Sequence, residues 1–165
     1  MRLGFFLYSE HGQAERLMHA LAEKLLQAGL PLVGLTVEPA EEEARTKFVR
    51  LLPGGERINI WQDLGQDTTS CRLNPGALES ALEITRRAIE AAPPGAIVLI
   101  NKFGKHETES SGTRILIGAA LEADLPVLVP VANDARTVFE AFAGDFAEEV
   151  TPSPAALEAF AKGTA

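Results

Sequence analysis

The feature that most constrains this chain is its opening stretch, "RLGFFLYSEHGQAERLMHALAEKLLQAGLPLVGLTV", residues 2–37. Arg2 to Tyr8 is a short apolar run, the kind a parallel strand buried on both faces requires. Ser9 to Gly12 is a loop. From Gln13 onward Leu17, Leu21, Leu25 and Leu26 recur at helical spacing, with Met18 and Ala22 beside them. Gly29 stands where a glycine commonly ends a helix. "LPLVGLTV" then reads as a second strand. A strand, a helix and a strand in this order form a βαβ unit, which commits the chain to an α/β fold.

The remainder fits that commitment. Residues 38–47, "EPAEEEARTK", form a polar connection, and the acidic run Glu41 to Glu43 is a solvated loop. "KFVRLLPGGERINIW" reads as a β-hairpin around Pro-Gly-Gly. "QDLGQDTTSCRL" has turn formers and little periodicity, and is expected to be a loop. "NPGALESALEITRRAIEAA" is a helix that Asn74 can cap, with Pro75 at its first position. Leu78, Ala81, Leu82, Ala88 and Ile89 make its apolar stripe, with Ile84 off to the flank. "AIVLIN" is the next strand. "RILIGAALEAD" is a helix, "LPVLVPV" a strand and "ARTVFEAFAG" a helix. "SPAALEAFAKG" is a terminal helix with Ser153 as cap and Pro154 at its first position. The expected architecture is one domain over residues 1–165, with a mainly parallel sheet, helices on both faces and an inserted β-hairpin.

Composition excludes several roles. The formal charge of -8 argues against nucleic acid and against an anionic membrane as partners. No segment approaches the ~20 apolar residues that span a bilayer. The N-terminus lacks the pattern of a signal peptide, and the one cysteine, Cys71, allows no internal disulfide. A reducing cytoplasm is the expected setting.

In an open α/β sheet, ligands bind at the carboxyl ends of the strands. The loops there are Ser9–Gly12 and Lys102–Gly112, which can converge if their strands are neighbours. The first loop takes the place of a phosphate-binding loop, G-x-x-x-x-G-K-[ST]. "LYSEHGQA" keeps only Gly12, with Gln13 in the lysine position and Ala14 in that of the magnesium-binding hydroxyl. The helix N-terminus would still offer amides to an anion, although a plain strand-to-helix turn explains the same residues. At the second loop, Asn101-Lys102 stands where a phosphate-loop ATPase carries acidic residues. Cations and amides without magnesium ligands favour a bare anion. Simple solvation of Lys102 and Lys105 at a strand end is the competing explanation.

Other residues carry weaker signals. Arg72 beside Cys71 would lower its thiol pKa, whereas a buried small hydrophobe is the commoner fate of a lone cysteine. His11 can act as base, ligand or anion donor. Glu10, His11, Cys71, His106 and Glu107 show no accepted metal-ligand spacing, so no metal is expected. Asp63 can orient Arg72 or Lys102, or simply shape a turn. "ESSGTR" offers Ser110, Ser111 and Thr113 at a helix start with Arg114 in its first turn. That is a second anion cradle or an ordinary N-cap.

Two stretches, "QDLGQDTTSCRLNPGALESAL" and "INKFGKHETESSGTR", resemble a bacterial family of unassigned activity whose genes are often found beside molybdate-transport genes. The family pattern reads D-L-G…C-R-L-D…A-L and N-K-F-G-K-x-E…G-x-R, and the resemblance runs from about residue 1 to about residue 160. Asn74 stands where the family usually has aspartate. "NKFGKHE", residues 101–107, is also similar to the D-E-I-G-K-x-E stretch of the thermophilic-type nucleoside triphosphatases, with Gly104, Lys105 and Glu107 keeping their places. The resemblance implies a phosphate-loop-NTPase-like fold without implying hydrolysis. The expected function is non-hydrolytic binding of a small anion, either a nucleotide phosphate or an oxyanion such as molybdate. The expected ligand set is Ser9, Glu10, His11, Gly12, Gln13, Asp63, Cys71, Arg72, Asn101, Lys102, Gly104, Lys105, Glu107 and Arg114. No cofactor is called for, and a homo-oligomer is left open. The alternative is a divergent magnesium-dependent nucleoside triphosphatase or phosphotransferase, with Glu10, Asp63 or Glu107 holding the metal.

Overall fold

A computed structural model describes residues 2–40, 45–62, 73–104 and 107–164, the side chains of 107–110 excepted. The strands are β1 (Leu3–Tyr8), β2 (Leu32–Val37), β3 (Phe48–Leu52), β4 (Arg57–Asn59), β5 (Ile97–Leu99), β6 (Val127–Ala132) and β7 (Ala147–Glu149). The helices are α1 (Gln13–Gln27), α2 (Pro75–Glu90), α3 (Glu107–Glu122), α4 (Arg136–Ala143) and α5 (Pro154–Lys162). The strands form one 7-stranded sheet in the order β4-β3-β2-β5-β6-β1-β7. β2, β5, β6, β1 and β7 run parallel, and the hairpin β3–β4 adds to the β2 edge in antiparallel fashion. The α/β expectation, with its mainly parallel sheet and inserted hairpin, is met.

Helices cover both faces. Met18, Leu21, Ala22 and Leu25 of α1 pack with Leu157 and Phe160 of α5 against Phe6, Leu32, Ile97 and Leu128. Ala81 and Ile89 of α2, Leu116, Ile117 and Ala120 of α3, and Phe139 of α4 pack on the other face against Phe5, Val33, Val98 and Val129. Alternation along the strands sends successive side chains to opposite layers. A strand that feeds two cores must therefore be apolar throughout, which is why β1, β2 and β6 read as unbroken apolar runs.

The caps follow the local chemistry. Asn74 accepts a hydrogen bond from the Ala77 amide at 3.2 Å, and Pro75 opens α2. Ser153 does the same for α5, accepting from the Ala156 amide at 3.3 Å. Gly29, at φ 71°, lies in the left-handed region just beyond α1. Ile84 is exposed, as its place off the apolar stripe of α2 implies.

Two details differ from expectation, and the strand order answers a third point that the sequence left open. α3 begins at Glu107, a full turn and more before the "RILIGAALEAD" segment. β7 is a short edge strand of mixed polarity that no hydrophobic pattern announces. β1 and β5 are not neighbours, because β6 lies between them.

Candidate functional site

The carboxyl edge of the parallel strands carries a cleft of about 410 Å³. His11, Gly12, Glu15 and Arg16 at the start of α1 form one wall. Lys47 and Trp61 form another, and Lys102 closes the floor. Each is brought there by a distinct local device.

Gly12 ends the β1 loop at φ 79°, a left-handed conformation that glycine adopts without strain. A side chain there would point at Arg16, whose Nη1 lies 2.7 Å from where a Cβ would stand. The guanidinium of Arg16 therefore curls back over the start of its own helix. A cation at the positive end of a helix dipole is disfavoured unless an anion joins it. Arg16 has no ion-pair partner among the described residues.

Lys102 is positioned by a bulge. Val98 N donates to Pro126 O and Ile100 N to Leu128 O, a regular step of two on each strand. The next donor to β6 is Phe103 N, which gives to Pro130 O at 2.8 Å. One extra residue thus lies between Ile100 and Phe103, so the chain bulges at Asn101–Lys102. Pro130 explains why. In a parallel ladder a residue's amide and carbonyl face the same neighbour, and this proline lacks the amide that would have continued the pairing. The bulge releases the Lys102 carbonyl, which accepts the Thr113 hydroxyl at 3.2 Å. It also sends the Lys102 side chain across the end of β6 to Glu15, Nζ to Oε1 3.0 Å. Although β1 and β5 are separated, this contact joins their loops.

The ion pair is well shielded, with side chains 25% and 12% exposed for Lys102 and Glu15. Burial pushes the Glu15 carboxyl up. The Lys102 charge and hydrogen bond, the residue's own amide and the Lys47 charge outweigh that push, so the carboxyl stays below the usual range. Glu38, also on the cleft, is engaged by Arg57 at 2.6 Å. Trp61 is half-buried and held by its amide, which donates to Asn59 Oδ1 at 3.0 Å, and by a bridge to Leu73. The Lys47 ammonium lies 5.7 Å from the center of its ring.

Of the residues expected from sequence, the structure brings His11, Gly12 and Lys102 onto the cleft. Asn101 lines two smaller cavities beneath it. Ser9, Glu10 and Gln13 shape the loop instead: Gln13 Oε1 accepts the Ser9 amide at 3.3 Å, and Glu10 O accepts the Gln13 amide at 3.2 Å. Gly104 is buried. Arg114 lies elsewhere, 5.5 Å and 5.4 Å from the rings of Phe103 and Phe142 on the α4 side. The second anion cradle at Ser110–Arg114 is not formed, because α3 is already under way there and Thr113 is spent on the bulge. Asp63, Cys71, Arg72, Lys105 and the Glu107 side chain lie outside the described residues. The sequence reading missed Glu15, Arg16, Lys47 and Trp61. A basic residue in the first turn of a helix was a readable signal for Arg16. Lys47 and Trp61 reach the cleft only through the hairpin's fold.

A mainly parallel sheet, α1 after the first strand and a cleft at the strand ends define a phosphate-loop-NTPase-like α/β protein. Its fold matches the crystal structure of THEP1 from Aquifex aeolicus with a TM-score of 0.67, over 100% of this chain and 97% of that one. At 14% identity this similarity speaks for the fold alone. The chain belongs to the family described as protein of unknown function DUF2478, whose model matches residues 4–160. It is also 26% identical over 167 residues to the molybdenum import ATP-binding protein ModC 2 of Bradyrhizobium diazoefficiens. That match takes in 99% of this chain and spans 18% of the relative's length. Among the described residues no helix is long and apolar enough to cross a membrane.

Proposed function

We propose that the cleft binds a small, multiply charged anion without hydrolysing it, and that its leading occupant is a nucleotide. The observation that carries this is that Arg16, folded over the α1 N-terminus, and Trp61, from beyond the hairpin, line one cleft. The first suits phosphate. The second offers an aromatic face for a base. The volume of about 410 Å³ lies within the range of small-molecule sites. A lone oxyanion would leave most of it to water.

The name of the Bradyrhizobium relative joins molybdenum import to ATP binding. It supports a nucleotide, and it also supports molybdate as the second candidate, with a role linked to molybdate transport or molybdenum metabolism in the cytoplasm. The side chains support binding without hydrolysis. Gln13 and Ala14 stand in the lysine and hydroxyl positions of the phosphate loop, and Asn101 and Lys102 replace the acids. A divergent magnesium-dependent triphosphatase would need Glu10, Asp63 or Glu107 as metal ligand. A pure scaffold role is disfavoured by the cleft itself.

Trp61 is the chain's one tryptophan, so intrinsic fluorescence reports this cleft directly. Titration with ATP, GTP, molybdate, tungstate and sulfate, backed by calorimetry, is expected to show saturable binding of the nucleotides. No fluorescence change and no heat with any of them removes the anion reading. Magnesium-dependent phosphate release abolished by Glu107→Gln would replace it with the triphosphatase.

A further inference from the structure

The two donors that an incoming phosphate would use at the α1 end of the floor are already taken by the chain itself. Glu15 sits in the first turn of α1. Its carboxylate accepts from Lys102 Nζ at 3.0 Å, and its own backbone amide helps to hold the charged form. A helix N-terminal amide together with an ammonium is an anion site. Glu15 is the anion in it, and Lys47 adds attraction from the hairpin side. Below the pair, Thr36 and Asn101 share a small cavity with Glu15 and Lys102. Thr36 Oγ1 and Asn101 Oδ1 are buried there without partners among the described residues. The Thr36 hydroxyl is thus a spare donor next to the carboxylate.

We infer that Glu15 is a resident competitor: its carboxylate holds Lys102 in the unliganded protein, and a ligand reaches Lys102 only by displacing it. This rests on the anion-binding reading above. The displaced carboxylate leaves its amide to the ligand and gains the Thr36 hydroxyl as donor. A group that carries one charge gains little by exchanging places with a carboxylate. A polyphosphate brings more charge to the same lysine and the same helix end, so Glu15 sets a threshold of ligand charge.

The test measures the affinity of magnesium-free ATP and of AMP by Trp61 fluorescence in four proteins: the parent, Glu15→Gln, Lys102→Met and the double variant. Glu15→Gln is expected to tighten ATP and AMP alike, by at least tenfold, because each must break the same Glu15–Lys102 contact to reach the lysine. The gain is expected to vanish in the Lys102→Met background, a coupling that a merely structural role for Glu15 would not produce. Glu15→Asp, which draws the carboxylate back from the lysine, moves the same way by less and serves if the glutamine variant folds poorly. Parent protein that binds ATP with an affinity unchanged or weakened by Glu15→Gln overturns the competitor and leaves the anion reading standing. So does a gain that survives without Lys102. Failure of every variant to bind ATP, AMP or molybdate overturns both.

Discussion

Gly34 of β2 lies so close to Leu99 of β5 that a Cβ on it would come within 1.8 Å of the Leu99 carbonyl oxygen. Its φ of 132° is also one that side chains rarely adopt. Gly34 pairs with Leu99 in the parallel ladder, just before the strand ends that carry Thr36 and Asn101. Gly34→Ala is therefore expected to lower stability by about 3 kcal/mol or more. Urea unfolding measures it. A midpoint equal to that of the parent would show that β2 and β5 can part without cost.

Gly12→Ala strains a left-handed residue and pushes against Arg16. The expected loss of stability is about 1 kcal/mol, with anion affinity lowered several-fold as the guanidinium is moved. Asparagine tolerates the left-handed region better. Gly12→Asn should thus recover stability in a thermal melt without recovering affinity in a titration.

Thr113→Val keeps the shape and removes the hydroxyl that donates to the Lys102 carbonyl. Leaving that acceptor short of a donor is expected to cost about 1–3 kcal/mol. Chemical denaturation gives the loss. A fully neutral effect would mean that the bulge does not depend on α3.

The Glu15 carboxyl is held below its ordinary value of 4.5. A carboxyl lowered by folding stabilises the native state above its unfolded value, and that contribution is lost as pH falls through the lowered one. The unfolding free energy of the parent relative to Glu15→Gln should therefore be constant at neutral pH and shrink below about pH 4.5. Parallel denaturant series at several pH values test this. A difference that grows on acidification would contradict the ion pair.

The layout was legible because buried parallel strands and amphipathic helices leave opposite marks. Phe5 and Phe6 enter different cores, so β1 had to be apolar throughout, while α1 needed only one stripe. The Pro-Gly-Gly turn announced the hairpin, and Asn74 and Ser153 announced their helices. The site was harder. Lys102 was visible as a charge at a strand end, but its aim depends on Pro130, twenty-eight positions later in the chain. Nothing local distinguishes Glu15 from any solvated acid in a first helical turn. β7 escaped notice because an edge strand of three residues, two of them glutamates, has no hydrophobic period.

The position of β6 between β1 and β5 also bears on when the protein first becomes able to bind. Glu15 and Lys102 are 87 residues apart in sequence, and the strand that brings their loops together is made later than either. During synthesis from the N-terminus, β1 waits beside an unfilled slot until residue 132 has emerged. A partly made chain can hold the hairpin on β2, yet it has no floor to its cleft. Capture of a ligand would thus mark the moment at which β6 has joined β1 to β5, and it would reward only chains that had reached it.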